Sequence, residues 1–161
     1  MNRPGILSLS VVATCMIATT IFLTSAPSQS LAHCQVPCGI YDDPARVAQL
    51  REDATTIEKA IHNINELAAS HDGNAINQAV RWVNTKETHA THIQETVTNY
   101  FLTQRVKPVA PGADGYQTYL QKLADHHAVL VAAMKTKQAA DPQRVTRLKL
   151  AIDKLAAYYQ N

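Results

Sequence analysis

Residues 43–68 read DPARVAQLREDATTIEKAIHNINELA, and they decide the fold. Apolar residues fall at Val47, Leu50, Ala54, Ile57, Ile61, Ile64 and Ala68. The alternating 3-4 spacing is an a/d seam held for three heptads, which only an α-helix places on one face. Asp43-Pro44 supplies the start signal, with Asp as N-cap and Pro at the first helical position. His71-Asp72-Gly73 supplies the stop, with Gly in the place of a C-terminal cap.

The pattern recurs outward from this stretch. A second helix is predicted from about 74 to 104, with Ile76, Val80, Val83, Ala90, Ile93, Val97 and Phe101 on its inner face. KPVAPGADG, residues 107–115, is a Pro/Gly loop. A third helix from 116 to 137 puts Tyr116, Leu120, Leu123, His127, Leu130 and Met134 on one face. Asp141-Pro142 repeats the start signal, and Val145, Leu148, Ile152, Leu155 and Tyr159 again alternate by three and four. Four amphipathic helices joined by mostly short connections predict an all-α, antiparallel up-and-down four-helix bundle over 43–161. Composition agrees, since aromatics are 6% and only 5 residues are Gly, which suits packed helices better than sheets. A net charge of +2, with no basic block, argues against a nucleic-acid partner.

Upstream of the bundle, residues 1–32 read as a cleaved leader. Arg3 is a short positive start, residues 6–23 are an uncharged and mostly apolar run, and Ser30-Leu31-Ala32 places small residues where signal peptidase cuts. The run is long enough for a membrane anchor too, but Ser8, Ser10, Thr14 and Thr19 favour cleavage. Cleavage after Ala32 leaves 129 residues without a stable membrane association. It removes Cys15 and leaves Cys34 and Cys38 beside the new terminus at His33.

That terminus, residues 33–42, begins HCQVPCGIY and concentrates the chemistry. The free amine of His33, the amide nitrogen of Cys34 and the Cys34 thiolate can form two fused five-membered chelate rings. Pro37 and Gly39 can turn the chain so that the Cys38 thiolate closes a planar N2S2 set. Such a set suits nickel(II) or copper(II) better than zinc, which prefers tetrahedral ligation. The His33 ring can reach an axial position, leaving the other axial face open to a small ligand.

HCQVPCGIY resembles the His-Cys-x-x-Pro-Cys-Gly-x-Tyr hook of nickel superoxide dismutases. The resemblance implies a nickel ion cycling between Ni2+ and Ni3+ while superoxide is turned alternately into dioxygen and hydrogen peroxide. It implies ligation by the His33 amine and ring, the Cys34 amide and thiolate, and the Cys38 thiolate. It gives Tyr41 the role of gating the open face, makes Pro37 cis, and assembles bundles into a homohexamer after a processing peptidase has acted. The leader points to export to a periplasm, a lumen or the medium, although some relatives are cytoplasmic. Gln35 stands where well-known members carry Asp. A Glu and an Arg that steady the axial His in the family have no motif match here. Glu52 is the candidate for the Glu, and His89 falls in the neighbourhood of the Arg.

Other readings of the same residues stand beside this one. Cys34 and Cys38 can form a disulfide, or Cys34 can carry a lipid, although His33 does not fit a lipobox. His89-x-x-His92 shares a helical face and suits either a metal or solvent. Tyr158-Tyr159 and Trp82 suit packing or a subunit contact. The alternative function is an exported nickel- or copper-binding carrier bundle without turnover.

Overall fold

The computed structural model describes residues 35–159. The expected leader, His33 and Cys34 lie outside the described residues. The described chain forms four helices: α1 (Asp43–Leu67), α2 (Gly73–Glu95), α3 (Tyr116–Gln138) and α4 (Pro142–Ala156). A π-helical extension (Thr96–Arg105) prolongs α2. No strand is present among the described residues, and none of their helices is long and apolar enough to cross a membrane.

Each helix packs on its sequence neighbours, and α1 also packs on α4, which closes the ring of a four-helix bundle. The core takes one stripe from each helix. Leu50, Ile57 and Ile61 come from α1, Ile93, Val97 and Phe101 from α2 and its extension, Val129 and Ala133 from α3, and Leu148, Ile152 and Leu155 from α4. Burying such side chains contributes roughly 1.5–3 kcal/mol each, which is why the seam rather than local propensity sets the fold.

The start signals act as expected, with a shift of one residue in the first. Asp141 caps α4 by accepting from the Gln143 amide at 2.9 Å. In α1 the cap is Asp42, which accepts from Ala45 N at 3.0 Å, so Asp43 is already helical. The difference frees the Asp43 carboxylate for other partners. Gly73 does not end α1. It opens α2 behind Asp72, which accepts from the amides of Asn74 and Ala75, both at 2.9 Å.

Two predicted faces are rotated in the structure. On α2, Ile76, Val80 and Val83 are exposed, while Ala75, Lys86 and Ala90 are buried. The apolar periodicity missed this face because one of its members is a lysine. Lys86 is buried with its ammonium donating to the carbonyls of Thr136 (2.9 Å) and Lys137 (2.8 Å) at the end of α3, and to Glu87 (2.7 Å). On α3 the buried face is His126, Val129, Ala133 and Thr136, and His127, Leu120 and Met134 are exposed. His126 tolerates full burial because both ring nitrogens are paired, Nδ1 with Lys122 O (2.6 Å) and Nε2 with the Tyr159 hydroxyl (2.9 Å). Tyr158 and Tyr159 pack the end of α4 as expected, and Trp82 is half-buried beneath Lys59.

Candidate metal centre

The segment before α1 folds back as two successive turns. Cys38 N donates to Gln35 O at 2.9 Å and Ile40 N donates to Pro37 O at 2.8 Å. The Val36–Pro37 peptide is cis, as the resemblance implies. Gly39 has φ +83°, a left-handed conformation that a side chain would strain although the space around it is open. Cys38 is a free thiol and exposed. Val36 and Ile40 are 80% and 83% exposed, an unusual degree for apolar side chains on a folded turn.

The π-helical extension of α2 holds this hook. The wider turn carries Val106 N to Phe101 O, five residues back, at 2.9 Å. Gln104 donates through Nε2 to Asn99 O (2.9 Å) and across to Val36 O of the hook (3.2 Å). Its Oε1 is buried with no hydrogen-bond partner among the described residues. Arg105 pairs with Asp43 at the start of α1, with Nε 2.8 Å from Oδ1 and Nη2 2.6 Å from Oδ2. Tyr100 also donates its hydroxyl to Asp43 Oδ1 at 2.6 Å.

Tyr41 sits on this cluster. Its ring packs edge-on against Tyr100 with centroids 5.8 Å apart, and the Arg105 guanidinium lies 4.5 Å from its centroid. Burial alone would raise the Asp43 pKa, but hydrogen bonds from Arg105 and Tyr100 and the Arg105 charge bring it below the ordinary value of 3.8. Burial and the adjoining Asp43 push the Tyr100 hydroxyl up to about 12, so it remains a proton donor.

Beside the hook lies a pocket of about 250 Å³, walled by Val36 and Pro37 on one side and by Arg46, Gln49, His92 and Glu95 on the other. Its polar wall is ordered. Arg46 donates to Gln49 Oε1 at 3.1 Å, which leaves the Gln49 amide nitrogen facing His92 Nε2 at 3.3 Å. An amide nitrogen can only donate, so His92 Nε2 accepts and its proton sits on Nδ1. Behind it, Asp53 is buried and takes His89 Nδ1 at 2.6 Å on Oδ1. His92 Nδ1 is 2.9 Å from Oδ2 but off the hydrogen-bond direction, so that oxygen lacks a hydrogen-bond partner among the described residues.

The structure thus brings Cys38 and Tyr41 onto one hook, with His89 behind the pocket wall. Glu52 is exposed, its carbonyl takes the Thr56 hydroxyl, and it does not line the pocket. The carboxylate behind that wall is Asp53, one residue on. The sequence gives Asp43 only the part of a helix cap, which Asp42 takes instead, and assigns no role to Tyr100, Gln104 or Arg105. A signal for Asp43 was present in the Asp42-Asp43 doublet, because a helix needs one capping carboxylate and the second must find another partner. Arg105, at the end of the long amphipathic second helix, is the matching cation.

Among the described residues no three His, Cys, Asp or Glu side chains are grouped to hold a metal ion. A site that includes Cys38 therefore needs donors from beyond them. A free, exposed thiol on a paired turn, four residues after another cysteine, fits the thiolate part of a nickel donor set.

The family model of nickel-containing superoxide dismutase matches residues 28–161. No curated protein and no solved structure matches the chain.

Proposed function

The chain belongs to the nickel-containing superoxide dismutase family, and from that premise we propose that its metal is held by the processed terminus beginning at His33. The family is one of enzymes that use nickel and act on superoxide, so a carrier without turnover finds no support. The ligands in this reading are the amine and ring of His33, the amide nitrogen and thiolate of Cys34, and the thiolate of Cys38. The observation that carries it is the turn over 35–40, which presents the free, exposed Cys38 thiol three residues before Tyr41, whose ring is anchored by Arg105. Bound nickel supplies one-electron chemistry between Ni2+ and Ni3+, with thiolate donors stabilising the higher state.

The protein's part is to hold and screen. Gln104 ties the hook backbone to the end of α2 through Val36 O. Arg105 and Tyr100 fix the Tyr41 ring, which would narrow access to a metal held by the hook. Gln49 and His92 give the neighbouring pocket a wall of fixed dipoles rather than mobile water, the arrangement that supports a developing charge without reorganisation. Arg46, which meets no carboxylate in its hydrogen bonds among the described residues, adds positive potential for an anionic substrate.

Export, cleavage after Ala32 by a processing peptidase, and a homohexamer belong to the same proposal. The exposed Val36 and Ile40 support assembly, because an apolar pair on a rigid turn is a surface that a neighbouring subunit would cover. The test is to purify the processed protein, identify its first residue, and assay nickel and dismutation together. Equimolar nickel with activity supports the proposal; zinc, or no metal and no turnover from a chain starting at His33, overturns it. Cys34→Ser and Cys38→Ser should each remove the nickel and leave the helical content unchanged.

A further inference from the structure

Four of the chain's six tyrosines lie on one aromatic ladder through the bundle. Tyr41 meets Tyr100 at 5.8 Å between centroids, Tyr100 meets Phe101 at 4.9 Å, Phe101 meets Tyr159 at 4.5 Å, and Tyr159 meets Tyr158 at 6.4 Å. The remaining two, Tyr116 and Tyr119, pair with each other and stand off this ladder. Close aromatic packing alone is ordinary core structure. The unusual feature is the partner of each hydroxyl beyond Tyr41. Tyr100 donates to Asp43 at 2.6 Å and Tyr158 donates to Asp125 at 2.6 Å. Tyr159 donates to His126 Nε2 at 2.9 Å; the direction is fixed because Nδ1 faces the Lys122 carbonyl, which can only accept.

A tyrosine gives up an electron readily only if its phenolic proton can leave at the same time. We propose that Tyr41, Tyr100, Tyr159 and Tyr158 form a path that carries one-electron oxidising equivalents away from the hook, each inner hydroxyl handing its proton to its own hydrogen-bonded base. The proposal rests on the reading of the hook as the redox centre. Burial, with the Asp43 bond, holds Tyr100 at a pKa of about 12, and the Asp125 bond, with burial, does the same for Tyr158. Neither exists as a standing phenolate, so the proton must move with the electron.

The oxidant is a hydroxyl radical, formed with hydroxide and dioxygen when the peroxide product takes up a single electron from superoxide, the substrate. It abstracts the phenolic hydrogen of Tyr41, giving water and a Tyr41 radical. Tyr100 then supplies an electron to Tyr41, which takes a proton from solvent, while the Tyr100 proton passes to Asp43. Tyr159 reduces Tyr100 across Phe101; Asp43 returns its proton and the Tyr159 proton goes to His126 Nε2. Tyr158 reduces Tyr159 in the same way, with His126 returning its proton and Asp125 taking that of Tyr158. A thiol- or ascorbate-class reductant finally resets Tyr158. The net change turns one hydroxyl radical and one reductant into water and the reductant's radical. The benefit falls to Cys38, whose thiolate would otherwise be oxidised towards the irreversible sulfur acids.

The path is tested without nickel by attaching a ruthenium photo-oxidant at Cys38 of the full chain, with Cys15 and Cys34 replaced by Ser. After a flash with an electron acceptor, electron paramagnetic resonance and site-specific deuterated tyrosine should place the radical on Tyr158. Tyr158→Phe should leave it on Tyr159. A radical confined to Tyr41 and Tyr100, or found on Tyr116 or Tyr119, overturns the proposal. Nickel-loaded enzyme under excess peroxide provides the second arm. Tyr158→Phe should keep the initial dismutation rate but lose activity several-fold faster, with Cys38 oxidised in the peptide map, and inactivation at the wild-type rate overturns the protective role. Failure of this enzyme to load nickel, beside radical transfer in the flash arm, overturns the hook reading and supports the path.

Discussion

Arg105 and Asp43 join the end of one helix to the start of another through a two-pronged ion pair, 2.8 Å at Nε and 2.6 Å at Nη2. The same guanidinium lies over the Tyr41 ring at 4.5 Å. One cation thus ties α1 to the extension of α2 and sets the residue beside the proposed open face.

Arg105→Met should free Tyr41 and leave a partly buried carboxylate without its partner, at a cost of about 1–3 kcal/mol. Urea unfolding of the metal-free protein measures the stability, and Tyr41 fluorescence anisotropy measures the ring. An unchanged midpoint with an immobile Tyr41 would show that the pair does no work.

The Asp43 pKa is lowered on folding, so its contribution to stability is complete above the ordinary value of 3.8 and is lost as pH falls through the lowered one. Stability measured from pH 5 downwards should fall more steeply in the wild type than in Asp43→Asn. Parallel curves would remove Asp43 from the acid response.

His126 changes the curve at higher pH. Burial depresses its pKa below 6.5, so it folds neutral; its contribution is complete above 6.5 and is lost as pH falls through the depressed value. The wild type should lose stability on acidification below about pH 6.5, and His126→Gln should flatten that limb while lowering overall stability. An identical slope in the variant would contradict this.

Lys86 gives a test of the core. Its buried ammonium closes the last carbonyls of α3, so Lys86→Met should cost about 1–3 kcal/mol despite adding an apolar side chain to an apolar interface. Thermal unfolding measures it, and a gain in stability would show that desolvation outweighs these bonds.

Much of the fold was legible because α1 and α4 bury mainly apolar seams, with Asp53 the buried exception on α1, so period alone identifies their inner faces. The faces of α2 and α3 were not, because Lys86 and His126 occupy buried positions, and that burial is tolerable only once distant partners, the α3 carbonyls and Tyr159, join the local ones, Glu87 and the Lys122 carbonyl. Such partners lie far away in sequence and carry no periodic signal. The hook was legible for a different reason. Its proposed donors are local, and the proposed chelate rings would follow from adjacent atoms of the chain. The residues that steady it, Gln104 and Arg105, come from the other end of a helix and become neighbours only after α2 packs against α1.

The most direct test of the central claim compares nickel binding by a chain that begins at His33 with the same chain carrying a single extra residue before it. Isothermal titration should show tight, equimolar binding in the first and none in the second, because the extension turns the ligating amine into an amide. Equal binding by both would contradict a nickel centre built on the processed terminus.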